Sequence, residues 1–242
     1  GNSVACTGSA QNFTITINPT STILDPMDQI ICNGSPTNSI NFSGNGTSYT
    51  WVNNNTTTGL QLSGTGNITS FNAVNLGLNP IVSIVTVTSQ FTGGGVTCTG
   101  NNTSFDISVI PTPTVSIPTN QTICNGDNST LVNLTGNATN FTWTNSLPSI
   151  GLANSGTGNI PVFTAINNTS NPVVATITIT PIYINGLTSC NGAPQSFSIT
   201  VNPAPSVTFN VSDQTICSNG SSNQIILSSS TQNALISWSA TN

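Results

Sequence analysis

Short runs of alternating apolar and polar residues recur along the chain and predict β-strands throughout. Residues 177–180 and 197–201 alternate with period two, and β-branched side chains dominate both runs. Asn-Gly pairs beginning at Asn33, Asn125 and Asn185 are typical turn signals between strands. No run shows the 3.6-residue period of an amphipathic helix. The pattern therefore predicts an all-β chain.

The strand pattern repeats after about 92 residues. The segment beginning at Asp28 aligns without a gap with the segment beginning at Asn120, and Trp51 falls on Trp143. The predicted divisions are the tail of one repeat, two whole repeats and the start of another: 1–19, 20–111, 112–203 and 204–242. Proline pairs mark the boundaries and predict short, stiff linkers. Because the pattern starts and stops within a repeat, we expect the chain to be an excerpt from a longer polypeptide.

Each repeat has the size of a complete small domain. About seven short strands in about 90 residues predict an immunoglobulin-like or PKD-like β-sandwich, with the domains arranged head to tail. An aromatic-x-Trp strand lies in the middle of each domain, and Trp51, Trp143 and Trp238 are predicted core residues. For Trp51 and Trp143, stacking against a ligand is the alternative.

The ionisable side chains restrict the possible chemistry. The chain has no Lys, Arg or His, and its net charge of −5 comes from five carboxylates. Acid–base catalysis through His or Lys, and Ser–His–Asp or Cys–His nucleophiles, cannot be built. Nucleic-acid binding needs cationic side chains that are absent, and no apolar run is long enough to insert into a membrane. We therefore predict no enzyme activity, no catalytic residue, no cofactor and no metal site.

Four short motifs resemble a known family. They are Thr-Ile-Cys-x-Gly near the domain start, the aromatic-x-Trp strand, a late Cys-x-Gly and a closing Val-Asn-Pro-x-Pro. Together they resemble the PKD-like and Ig-like tandem repeats of giant cell-surface adhesins of Bacteroidota, among them the gliding adhesins exported by the type IX route. The family's acidic motif after the Trp strand is missing, since residues 52–55 read Val-Asn-Asn-Asn. A metal-binding role tied to that motif is therefore not implied.

The resemblance implies an extracellular, surface-exposed shaft that supports cell adhesion or gliding. Its partners would be neighbouring repeats of the same chain and other copies of the filament, and the ligand of the filament tip is not specified. A glycan-binding module is one alternative function. An accessory domain array of a secreted enzyme is another.

Six cysteines form two series, which predict a disulfide framework in an exported chain. Cys32, Cys124 and Cys217 lie early in their repeats, and Cys6, Cys98 and Cys190 lie late. One pairing is intradomain, Cys32–Cys98 and Cys124–Cys190, with Cys6 and Cys217 bonded outside the excerpt. One alternative is interdomain, Cys32 with Cys190, because the two series are expected at opposite poles of an Ig-like sandwich. The last alternative is that the cysteines are free thiols.

Asp28 and Asp213 occupy equivalent positions, and Asn120 lies at the same position of the middle repeat. These residues could contribute to a calcium site at a domain junction, or they could cap turns through their side-chain oxygens. Sequons of the Asn-x-Ser/Thr type, such as those at Asn45 and Asn137, are expected from the composition alone.

Overall fold

A computed structural model describes residues 1–211, 213–231 and 234–240. The described residues form β-strands, turns and two short 3₁₀ segments, Thr56–Thr58 and Pro148–Ile150. No helix in this part of the chain is long and apolar enough to cross a membrane. The chain divides into two compact units, Gly1–Pro111 and Thr112–Asn242.

The first unit contains a five-stranded sheet. Its strands are β1 (Gln29–Cys32), β2 (Ser48–Asn53), β3 (Ser63–Thr65), β4 (Ile81–Gly93) and β5 (Val96–Ile110). They lie in the order β1-β5-β4-β2-β3. β1 runs parallel to β5, and the other pairs are antiparallel. Gly94 and Gly95 connect β4 to β5 with φ angles of 59° and 78°, a left-handed backbone that favours glycine in a two-residue hairpin turn.

A second, less regular layer covers one face of this sheet. Its two segments meet at the bridges Pro36–Asn72 and Ile40–Ile68. The core between the layers is apolar, as the period-two pattern requires. It is formed by Ile40, Phe42, Trp51, Leu60, Ile68, Ala73, Val85, Val87, Phe105, Ile107 and Val109.

The second unit repeats this construction. Its strands are β6 (Gln121–Cys124), β7 (Asn140–Asn145), β8 (Ser155–Thr157), β9 (Val173–Asn185), β10 (Thr188–Asn191) and β11 (Gln195–Asn202). The order is β6-β11-β9-β7-β8, with β10 paired to β9. β10 and β11 together occupy the place of the single strand β5 in the first unit. Pro194 lies in the gap between them and has no N–H to continue the ladder.

These topologies confirm the predicted fold class of consecutive, all-β, Ig-like sandwich domains. The division between the two compact units falls after Pro111. The finer division at residues 19 and 203 stays a prediction. A separate two-stranded pair, β12 (Thr208–Phe209) and β13 (Leu227–Ser228), lies beyond residue 203.

The prediction that Trp238 is a core residue is wrong, because its side chain is 80% exposed. Among the described residues after 203, Thr208–Phe209 and Leu227–Ser228 form the strands, so the strands that surround Trp143 in the second core have no described counterpart around Trp238. Phe13 is 86% exposed, whereas its counterpart Phe105 is buried in β5.

Candidate functional site

The two cysteines of the first unit lie far apart along its sheet. Cys32 ends β1 opposite Ile110 of β5. Cys98 lies near the start of the same strand, opposite Phe91. About 12 residues of extended strand separate Ile110 from Cys98, which corresponds to ~40 Å. A disulfide requires Cα atoms within about 7 Å, so Cys32 and Cys98 cannot bond within this sandwich.

The second unit separates its cysteines in the same way. Cys124 ends β6 opposite Asn202, and Cys190 lies in β10 opposite Tyr183. The positions of both cysteines can be compared along β9, because β10 pairs with β9 directly and β6 is joined to β9 through β11. About 10 residues along β9 again place the two thiols ~33 Å apart.

The bonding states follow this geometry. Cys32 and Cys190 are disulfide-bonded. The remaining four cysteines are free thiols: Cys6, Cys98, Cys124 and Cys217. The intradomain pairing, Cys32–Cys98 with Cys124–Cys190, is therefore wrong. Cys32 and Cys190 are the two residues that the interdomain alternative names.

The segment that enters each domain is held by one asparagine. In the second unit, the Oδ1 atom of Asn137 accepts hydrogen bonds from the backbone N–H and the hydroxyl of Thr114, at 2.6 and 2.9 Å. Its Nδ2 atom donates to the carbonyl of Thr112 at 3.2 Å. In the first unit, Asn45 makes the equivalent three bonds to Thr22 and Thr20. We call each set the linker clamp.

Glycines complete the linker clamp. A Cβ atom on Gly136 would overlap the carbonyl of Thr114, and one on Gly192 would overlap the carbonyl of Pro113. Gly44 and Gly100 stand at the equivalent positions of the first unit and abut Thr22 and Ser21. The backbones therefore touch, which only residues without a side chain permit. The linkers, predicted as stiff spacers, are in fact bound to the surface of the domain that they enter.

Buried asparagines form a second set of structural contacts that sequence reasoning missed. The Nδ2 atom of Asn167 donates to the carbonyls of Val201 and Asn171, at 2.8 and 2.9 Å. Its Oδ1 atom accepts from the N–H of Thr169 at 2.9 Å. Asn75 binds Val109 and Asn79 identically. The sequence does contain one signal for these two residues, because Asn75 and Asn167 occupy the same position of consecutive repeats. That recurrence distinguishes them from asparagines that vary between the repeats.

Asp28 and Asn120 act as backbone acceptors. The Oδ1 atom of Asp28 accepts from the N–H of Asp106 at 2.8 Å, and that of Asn120 accepts from the N–H of Ser198 at 2.8 Å. Because a neutral amide makes the same bond, the charge is not required for it. In the part of the chain that the structure describes, no group of three or more His, Cys, Asp or Glu side chains could hold a metal ion.

Trp51 and Trp143 lie in the two cores, 6% and 4% exposed. Each indole lies against the glycine of the neighbouring strand, Gly64 or Gly156, where an added Cβ would overlap the ring. The rings are therefore covered by protein and do not present a face to a ligand.

Comparisons with known proteins gave structural matches only. No family model matches the chain, and no curated protein matches it. It is similar to mouse cadherin-23 EC22-24, with 11% identity over 79% of this chain and 70% of that one, and a TM-score of 0.41. Human mucin-like protocadherin EC1-2 has 12% identity over 76% and 98%, with a TM-score of 0.34. The insect immune protein hemolin has 16% identity over 76% and 46%, with a TM-score of 0.33. The fold assignment rests on the strand order of the chain itself.

Proposed function

We propose that the chain is a shaft segment of a large extracellular adhesin or surface filament, of the kind found in Bacteroidota and exported by the type IX route. It supports cell adhesion or gliding by holding a distal binding region away from the cell. The observation that carries this proposal is the linker clamp, which is built from equivalent residues in both units.

A shaft must resist bending and extension between its domains. A free linker of a few residues is a flexible joint, whereas a linker whose backbone is hydrogen-bonded to the next domain has few conformations left to adopt. Asn45 and Asn137 each satisfy a backbone N–H and a backbone carbonyl of the linker. Each linker therefore continues as part of the domain that it enters.

The cysteines support an extracellular location. A stable structural disulfide forms in oxidising compartments and is rare in reducing ones. Cys32 and Cys190 are disulfide-bonded in a chain that has no Lys for an isopeptide cross-link. Disulfides are consequently the covalent reinforcement that this composition allows.

Immunogold electron microscopy of intact source cells tests the proposal, with antibodies raised against residues 112–203. We expect label along thin surface filaments and reduced attachment or gliding when the antibody is added. Label confined to soluble secreted material, with attachment unchanged, would contradict the shaft and favour an accessory array of a secreted enzyme. High-affinity binding of the purified chain on a glycan array would instead favour a binding module.

A further inference from the structure

We infer that the first unit holds one buried water molecule between the hydroxyl groups of Ser21 and Ser89. Ser21 lies in the linker, between the two threonines that Asn45 binds, and Ser89 lies in β4. The water is a second connection between the linker and the sheet, beside the three hydrogen bonds of the linker clamp. This inference concerns the construction of the first unit and does not depend on the proposed extracellular role.

Both hydroxyls are buried without a protein partner. Ser21 is 1% exposed and Ser89 is 0% exposed. Among the residues that the structure describes, neither Oγ atom has a hydrogen-bond partner. A buried hydroxyl without a partner lowers stability, and ordered water satisfies many buried polar groups that protein atoms do not reach. Two such hydroxyls at one place therefore indicate a bound water.

Two glycines bring the hydroxyls together. A Cβ atom added to Gly46 would lie 2.9 Å from the Oγ atom of Ser21 and 3.3 Å from the Cβ atom of Ser89. A Cβ atom added to Gly100 would lie 2.7 Å from the Oγ atom of Ser89 and would overlap the carbonyl oxygen of Ser21. The Oγ atom of Ser89 therefore lies within about 5 Å of that carbonyl oxygen, a separation that one bridging water spans with two bonds of ordinary length.

A β-bulge lies at the same point of the sheet. The ladder between β4 and β5 shifts its register between Thr88 and Gln90, so Ser89 faces two residues of β5, Gly100 and Asn101. The extra residue of a bulge disrupts the ladder locally and bends its strand. The water therefore lies where the sheet is irregular, beside the linker that touches Gly100.

The second unit fills the equivalent place with carbon atoms. Pro113 and Pro181 stand at the positions of Ser21 and Ser89, and an alanine stands at that of Gly46. The carbonyl of the first proline and the Cγ atom of the second lie beside the glycine that corresponds to Gly100. Proline has one more side-chain heavy atom than serine, and alanine has one more than glycine. The first unit therefore has less carbon and two more hydroxyls here, which suits one water molecule with a share of liquid volume of about 30 Å³.

Water fits this place better than an ion does. The residues around it carry no charged group; they are Ser21, Gly46, Tyr49, Ser89 and Gly100. A calcium ion takes about six to eight oxygen ligands, whereas a buried water makes about three hydrogen bonds. The two hydroxyls and the carbonyl oxygen of Ser21 supply partners for those three bonds.

A crystal structure of the 242-residue chain, at a resolution that shows ordered solvent, tests the site directly. We expect one electron-density peak at about 2.7–3.2 Å from both Oγ atoms. In Ser21→Pro/Ser89→Pro, which reproduces the pair of the second unit, we expect no peak, with the bonds of Asn45 retained. Hydrogen bonds from both hydroxyls to protein atoms, without a peak, would overturn the inference. So would a peak that remains in the double proline variant, because backbone atoms alone would then hold the water.

Hydrogen exchange of the slowest amides of β4 tests the coupling of the two hydroxyls in solution. Ser21→Ala and Ser89→Ala are each expected to speed this exchange about tenfold, because the remaining hydroxyl is left buried without its water. Ser21→Ala/Ser89→Ala is expected to exchange no faster than either single variant, since it leaves no hydroxyl at the site. The amides of β9 in the second unit are the control and are expected to keep their rates. Effects that multiply to about a hundredfold in the double variant would overturn the inference, because the hydroxyls would then act independently.

Discussion

The indole of Trp143 leaves room only for glycine at the facing position of the neighbouring strand. Its indole lies over Gly156 of β8, and the same contact joins Trp51 to Gly64. The ring fills the volume that a side chain on the glycine would otherwise occupy. Each tryptophan therefore packs together with the glycine that faces it.

Gly156→Ala is expected to destabilise the second unit by about 1–3 kcal/mol, because the new methyl group overlaps the indole of Trp143 in a packed core. Ser155→Ala, an exposed neighbour in β8, serves as the control and is expected to change stability by less than about 0.5 kcal/mol. Urea unfolding followed by tryptophan fluorescence measures both. Equal stabilities of the two variants would show that the core does not require glycine at position 156.

Asp28 illustrates a carboxylate whose oxygen matters more than its charge. Asp28→Asn is expected to keep stability within about 0.5 kcal/mol, because the amide Oδ1 can accept from the N–H of Asp106 as Asn120 does in the next repeat. Asp28→Ala is expected to cost about 1–2 kcal/mol, since the N–H loses its acceptor. Thermal melts in calcium and in chelator are expected to coincide. A rise in melting temperature on adding calcium that Asp28→Asn abolishes would favour a metal role.

At the scale of secondary-structure elements, the linker clamp joins an irregular segment to a regular domain. Three hydrogen bonds of one carboxamide and two glycine contacts hold residues 112–114 in place. Each hydrogen bond of this kind makes a net contribution of about 1 kcal/mol to the free energy of unfolding. They also satisfy backbone groups that would otherwise need water.

Asn137→Ala is expected to lower the free energy of unfolding by about 1–3 kcal/mol and to speed hydrogen exchange at the amide of Thr114, which loses its acceptor. The stability of Asn137→Asp is expected to lie between that of the unsubstituted chain and that of Asn137→Ala. The aspartate retains the acceptor for the N–H of Thr114 but loses the donor to the carbonyl of Thr112. The exposed Thr135→Ala is the control. Unchanged exchange at Thr114 in Asn137→Ala would show that the linker is held by other contacts.

The sequence predicts the strands well and the contacts between segments poorly. Period-two alternation marks β4 and β9 because one face of each is buried, which is a local signal. Asn137 looks like any other sequon, since its role depends on the position of Thr114 in the folded domain. The choice between the cysteine pairings likewise required the register of β1 against β5, which no local pattern contains.

At the scale of the whole molecule, the two compact units have the same strand order, and each has an apolar core of its own. Because each core is formed within one unit, we expect each sandwich to unfold as a separate cooperative step.

Single-molecule stretching of the reduced chain gives the prediction at this scale. We expect two unfolding steps, each adding up to ~310 Å for a repeat of about 92 residues, because each unit has a core of its own. Gly156→Ala is expected to lower the unfolding force of one step and to leave the other unchanged, since Gly156 packs on Trp143 in the second core. A single step that releases both units together would contradict independent unfolding. A chain of such units would lengthen one domain at a time under load, while the linker clamps keep each linker bound to the domain that it enters.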